Sequence, residues 1–220
     1  MILTDLDAVN FCLQLYASTD GWDLFWPESQ FGLTTALRVV EARDVVVHRG
    51  SETPLDWWDD FRSELAEHDP DVGDVPAGFY QGLRPFHEAT RSIIRPGPLL
   101  VGHSLGAARA VAHGALLAAA GNPPIAVVVF GCPRPGTQKM NALFTQTAVR
   151  WYRNGAGLDA DPVTDVPVPI PGLLPWIHCG VMKAVDEKPA PDDPWGPLRM
   201  HHAQLYAAGV AKLSPVPSIG

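Results

Sequence analysis

The run Pro98-Leu-Leu-Val-Gly-His-Ser-Leu-Gly-Ala-Ala-Arg109 constrains this chain more than any other stretch. Leu99 to Val101 reads as a short buried strand, and Leu105 to Ala120 reads as an Ala-rich helix stopped by Gly121-Asn122-Pro123. Only Gly102, His103 and Ser104 join them. So short a junction must bend sharply, and Gly102 and Gly106 keep side chains out of the bend. The turn exposes the Ser104 oxygen, and the helix start places partial positive charge and a free backbone N–H at Leu105. A bare Gly-x-Ser-x-Gly arises by chance in roughly one chain in ten or twenty at average glycine usage. The strand before it and the helix after it make Ser104 a candidate nucleophile and not an ordinary helix cap.

Elsewhere the pattern alternates strands and helices, which predicts an α/β sandwich. Thr4 caps a first helix, with Asp7 placed for a capping box and Leu6, Val9, Leu13 and Tyr16 on its apolar stripe. Leu37–Glu41 and Asp44–His48 read as two strands joined by a short turn. Phe79–Ile94 reads as one helix ended by the prolines at 96 and 98. Ile125–Phe130 is a continuous apolar strand of the kind covered on both faces. Val149–Tyr152 and Trp176–Met182 are further strands, and Met200–Lys212 is a closing helix that starts at His201 and His202. The Pro-rich stretch 162–197 reads as a long irregular loop. With 220 residues and 46% hydrophobic content, residues 1–220 form one globular domain in this reading.

The net charge of −8, without a basic run, argues against nucleic acid as a partner, because phosphate neutralisation needs clustered Lys and Arg. Cys12, Cys132 and Cys179 are odd in number and far apart, so they imply neither a disulfide framework nor a zinc site. They read as small buried hydrophobes. The acidic N-terminus lacks the features of a signal peptide, so the expectation is a cytoplasmic protein unless a leader was removed.

Five further segments carry a resemblance. They are Val45-Val-Val-His-Arg-Gly-Ser51, Asp56-Trp-Trp-Asp-Asp60, Gly78-Phe79, Phe130-Gly-Cys-Pro-Arg-Pro-Gly136 and Trp176-Ile-His-Cys-Gly180. Together with Ser104 they resemble, in order, the motifs of the class 3 lipases, the fungal-lipase-like branch of the α/β-hydrolases. The resemblance implies an α/β-hydrolase fold, a mostly parallel central sheet covered by helices on both faces. It implies Ser51 as a second oxyanion donor beside Leu105, and a short lid over 52–62 in which Trp57 and Trp58 sit side by side. His48 stands where the family commonly has Phe, and is expected to make the edge of the acyl pocket more polar.

A serine needs a neighbouring base, and the base needs a carboxylate to orient it. In α/β-hydrolases the chain order is Ser, then Asp or Glu, then His, so only groups after residue 104 qualify. His113 lies on the nucleophile's own helix, and His178 matches the family's structural histidine. His201 and His202 remain. The resemblance favours His201 by its spacing from Tyr206, with His202 as the alternative. For the acid, Asp161-Pro-Val163 fits the family pattern best, Asp165-Val-Pro167 is an offset second match, and Asp159 a third. The expectation is a carboxylic-ester hydrolase that needs no metal or organic cofactor, acts on an ester or lipid substrate and touches a lipid interface transiently. Phospholipase A1 and feruloyl-type esterase are the alternatives within enzymes, and a non-catalytic binding scaffold is the alternative outside them. The oligomeric state stays open.

Overall fold

The computed structural model describes residues 3–31, 33–51, 66–170, 172–173, 175–213 and 215–219. The expected lid at 52–62, with Trp57 and Trp58, lies outside the described residues. Nine strands are described: β1 (Leu24–Trp26), β2 (Thr35–Val40), β3 (Arg43–His48), β4 (Ala66–Asp69), β5 (Gly73–Pro76), β6 (Leu99–His103), β7 (Ala126–Phe130), β8 (Ala148–Asn154) and β9 (Val181–Val185). Seven form one sheet in the order β1-β2-β3-β6-β7-β8-β9, parallel from β3 to β9 and antiparallel at the β1–β2–β3 edge. β4 and β5 make a separate hairpin.

Period-two alternation along the strands splits the interior into two layers. Val46, Leu100, Val127 and Val129 pack toward the helix Leu105–Ala119. Val45, Val47, Leu99, Val101 and Val128 pack on the other face, against Ala8, Val9 and Leu15 of the first helix and Tyr206 and Val210 of the closing helix. The first helix, Asp5–Ala17, opens with the expected box: the Asp7 carboxylate accepts from Thr4 N–H at 2.8 Å, and Thr4 Oγ1 accepts from Asp7 N–H at 3.2 Å. The three cysteines are buried and free.

Three expected elements differ. Phe79–Ile94 is two helices, Ala77–Tyr80 and Leu83–Thr90, because Gly82 takes a left-handed backbone (φ +74°) and interrupts the helical ladder. Trp176–Gly180 is not strand; Ile177 makes one bridge to Gly136, and β9 begins at Val181. Gly180 is the cause, with φ +78° and a position so close to Val149 that any Cβ would overlap its backbone. Met200–Lys212 is a 3-10 turn, Gly196–His201, followed by the helix Ala203–Ala211, with extended His202 between them.

His48 also departs from expectation. It shares the face of β3 with Val46, so it points into the core below the helix Leu105–Ala119 and not to a pocket edge. Its Nδ1 lies 2.9 Å from Thr35 Oγ1, and its Nε2 lies 3.1 Å from Nδ1 of His113. The His113 ring sits 5.8 Å from that of His87 and 5.2 Å from Phe86. Burial, with the charge of nearby Arg109 adding, lowers the His48 pKa to about 3. Burial lowers His113 well below the usual histidine value, with His48 and His87 acting in the same direction.

Two predictions follow from this core. Gly106→Ala puts a methyl group onto the His48 carbonyl and 2.7 Å from the Arg49 carbonyl carbon, so it should cost at least about 1–3 kcal/mol of stability in urea unfolding. The second concerns acid. The unfolded chain protonates these imidazoles near pH 6.5, whereas folded His48 resists until about 3. Their contribution to stability is therefore complete above pH 6.5 and declines as pH falls toward 3, by about 1 kcal/mol per pH unit for each such group. The thermal midpoint should drop from pH 7 to pH 4.5, and less steeply in His113→Leu; a flat profile would contradict the assignment.

Candidate active site

Ser104 sits at the hinge between β6 and the helix Leu105–Ala119 with φ +61° and ψ −132°, a backbone that a residue bearing Cβ holds only under constraint. The constraint is visible on both sides. Ser104 N–H donates to the Phe130 carbonyl at 3.0 Å, which ties the turn to β7. A Cβ on Gly102 would overlap the Gly106 carbonyl and come 2.7 Å from the Ala107 nitrogen, so strand and helix meet backbone to backbone. Leu105 opens the helix, where an N–H has no intrahelical acceptor.

The turn after β3 is pressed against the same point. A Cβ on Gly50 would stand 3.0 Å from the Cβ of Ser104 and 2.7 Å from the His103 carbonyl oxygen. Ser51, the next residue, therefore lies beside the serine. It lines a cavity of about 180 Å³ with Tyr16, Ser104, Trp195, His202 and Gln204, and a second of about 290 Å³ with Leu105.

Asp161 and His201 are brought together in full burial, with Asp161 Oδ2 2.6 Å from His201 Nδ1. A carboxylate only accepts, so Nδ1 donates and Nε2 is left with its lone pair. Asp161 also accepts from Val163 N–H at 2.9 Å and from the Tyr206 hydroxyl. Tyr206 in turn accepts the Asn154 N–H at 3.3 Å. Burial alone would raise the Asp161 pKa; the charge of His201 and these hydrogen bonds outweigh it, so the carboxyl is held below its usual value. Any Cβ on Gly131 would meet both His201 and Asp161, so that position admits no side chain.

His103 links this pair to the nucleophile turn. Its ring stacks on that of His201 at 4.7 Å. His103 Nε2 lies 2.8 Å from the His201 carbonyl oxygen, so Nε2 donates and Nδ1 accepts from Tyr16 Oη at 3.1 Å. Burial, reinforced by the His201 charge, takes the His103 pKa to about 3 and keeps the ring neutral. Among the described residues, neither Ser104 Oγ nor His201 Nε2 makes a hydrogen bond, and both are buried. Tyr16 and His103 were not singled out from sequence. Only His103's place next to Ser104 could have signalled a role.

The alternative residues have other partners. Asp165 ion-pairs with Arg153 at 2.7 Å and is half exposed. His202 lies 2.8 Å from Asp193 and 3.8 Å from the Trp195 ring, while its side chain borders the cavity of Ser104. Asp159 is exposed. His178 stacks on Trp151 at 3.7 Å and donates to the Thr164 carbonyl at 2.9 Å. Among the described residues no cluster of His, Cys, Asp and Glu could hold a metal ion.

A sharp strand-to-helix serine in a mostly parallel sheet, with a buried Asp–His pair stacked on the residue before it, marks an α/β-hydrolase. The chain belongs to the class 3 lipase family, whose model matches residues 34–170, and so to the serine ester hydrolases. It is similar in fold to a triacylglycerol lipase from Penicillium expansum, at 16% identity and TM-score 0.62, covering 83% of this chain and 79% of that one. The Rhizomucor miehei lipase in complex with its propeptide matches at 17% identity and TM-score 0.60, over 82% and 66%. A mono- and diacylglycerol lipase from Aspergillus oryzae matches at 18% and 0.59, over 86% and 78%. No curated protein matches the chain.

The Tyr206 hydroxyl bridges Asp161 and the backbone of β8, so Tyr206→Phe removes two buried hydrogen bonds. It should cost about 1–3 kcal/mol in denaturant unfolding.

Proposed function

We propose that the chain hydrolyses carboxylic esters, of lipid or short-to-medium acyl type, through Ser104, His201 and Asp161. The reading takes residues 1–220 as one hydrolase domain. The observation that carries it is the buried Asp161–His201 pair, whose imidazole presents Nε2 as its free acceptor and stacks on the residue next to Ser104.

In this mechanism Ser104 Oγ attacks the ester carbonyl carbon and His201 Nε2 takes the hydroxyl proton. The carbonyl electron pair moves onto oxygen, which faces the N–H groups of Ser51 and Leu105. Collapse breaks the bond to the alcohol, which leaves with the proton that His201 returns. Water then attacks the acyl-serine, gives its proton to His201, and the carboxylic acid departs as Ser104 recovers that proton. Asp161 holds the Nδ1–H tautomer and stabilises the imidazolium that forms. The cavity beside Ser104, about 180 Å³, suits short and medium acyl chains better than long ones.

A second reading uses His202 as base with Asp193, because His202 lines that cavity. The two are separated by rates on p-nitrophenyl esters of graded chain length. Ser104→Ala should abolish hydrolysis while the circular dichroism and thermal midpoint are kept. His201→Gln should lower kcat by about a thousandfold or more, and His202→Gln by less than about tenfold. The reverse order would move the base to His202, and residual full activity in Ser104→Ala would sink both readings.

A further inference from the structure

The oxyanion turn and the base come from distant parts of the chain. Ser51 lies just after β3, and His201 closes the 3-10 turn Gly196–His201. Two side chains from other elements lie between them. Tyr16 stands in the last turn of the first helix, and its ring meets the His103 ring edge-on, with centroids 5.8 Å apart. Its hydroxyl also reaches the turn after β3, where a Cβ on Gly50 would stand 2.5 Å from Tyr16 Oη. Burial, with Cys12 adding, pushes that hydroxyl above the usual tyrosine range, and a hydrogen bond from the Gly50 backbone only opposes the rise. The hydroxyl therefore keeps its proton. It accepts from the Gly50 N–H and donates to His103 Nδ1 at 3.1 Å. His103 Nε2 then donates to the His201 carbonyl at 2.8 Å.

We infer that Tyr16 and His103 are positioning residues, which tie the Gly50-Ser51 turn to His201 through one chain of hydrogen bonds. The inference rests on the reading of Ser104, His201 and Asp161 as the triad. Three features support it. The chain has one direction, since every member donates to the next, from Gly50 through Tyr16 and His103 to His201. A hydroxyl has one proton and a neutral imidazole one N–H, so fixing either end fixes the roles of the members between. Neither bond of the Tyr16 hydroxyl stays within its own helix, and a phenylalanine would make the same ring contact with His103 without them. Both residues also line the cavity of Ser104, so the chain runs in the wall of the site itself. An oxyanion donor or a base displaced by an ångström costs about a hundredfold in rate, and here one oxygen restrains the turn that carries the first and, through His103, the backbone that carries the second.

The test measures kcat and KM on p-nitrophenyl butyrate, with reactive serines counted by the p-nitrophenol that a p-nitrophenyl alkylphosphonate releases. Tyr16→Phe should keep the circular dichroism of the native chain and its full count of reactive serines. Its kcat per counted serine should fall by about ten- to a hundredfold, while KM stays within about twofold. The rate of phosphonate labelling should fall with kcat. His103→Leu, which can neither donate nor accept, should lose a similar factor, and His103→Gln should recover part of it. Because a chain is broken once, Tyr16→Phe combined with His103→Leu should be less than about threefold slower than the slower single variant. Should His103→Leu fail to fold, His103→Gln takes its place in the combination. A native kcat per counted serine in Tyr16→Phe overturns the inference and leaves the ester-hydrolase reading standing. Losses that multiply in the combined variant also overturn it, since the two residues then act separately. No phosphonate labelling of Ser104 in the native chain overturns the ester-hydrolase reading, and this inference with it.

Discussion

The active site depends on one contact in which two backbones meet with no side chain between them. The helix that begins at Leu105 presses Gly106 onto the carbonyl of His48, and Gly102 presses onto the carbonyl of Gly106. β3, β6 and the nucleophile helix are thereby held at a spacing that no rotamer change can loosen. Because Arg49, Gly50 and Ser51 follow His48 immediately, the same contact carries that turn to the side of Ser104. Main-chain atoms fix the spacing here, which suits chemistry that fails when donors drift by an ångström.

Below that contact runs a connected set of polar groups. Tyr16 leads to His103, His103 to the His201 carbonyl, the His201 ring to Asp161, and Asp161 through Tyr206 to Asn154. These residues come from the first helix, β6, the 3-10 turn before the closing helix, the N-cap of the 3-10 helix Pro162–Asp165, β8 and the closing helix itself. Apart from His201 Nε2, the side-chain groups of the set answer one another, which is the condition under which a polar network orders a core rather than weakening it. The imidazole of His201 is held by the Asp161 carboxylate and by the His103 ring stacked on its face, while its backbone carbonyl accepts from the same His103.

The sequence made the nucleophile turn legible because its constraints lie within a dozen residues: an apolar strand, two glycines and an Ala-rich helix. The capping box at Thr4 and Asp7 was legible for the same reason. Asp161 could be placed only by resemblance, since an Asp-Pro turn looks alike at 161 and near 165 until the tertiary partners are known. Only the resemblance favoured His201 over His202, since local pattern puts both on one helix; the extended backbone at His202 sets the two side chains in different surroundings, and no local propensity announces it. β1, with three residues, and the acidic β4–β5 hairpin gave no periodicity to read. Asp69, which anchors that hairpin by accepting from the Asp71 and Val72 N–H groups and from Tyr80 and Arg84, looks like any surface aspartate in the sequence. The burial of His48 was in principle readable, since alternation along β3 puts it on the same face as Val46.

The network has a consequence for how the chain acquires its chemistry. Ser104 and its strained turn come well before Asp161, His201 and Tyr206 in the sequence. A chain emerging in order from a ribosome therefore carries the Ser104 turn before the residues that pack beside it are made. Docking of the closing helix onto the first one both completes the second hydrophobic layer and brings the Tyr206 hydroxyl to Asp161. The candidate site and the fold are in that sense completed together.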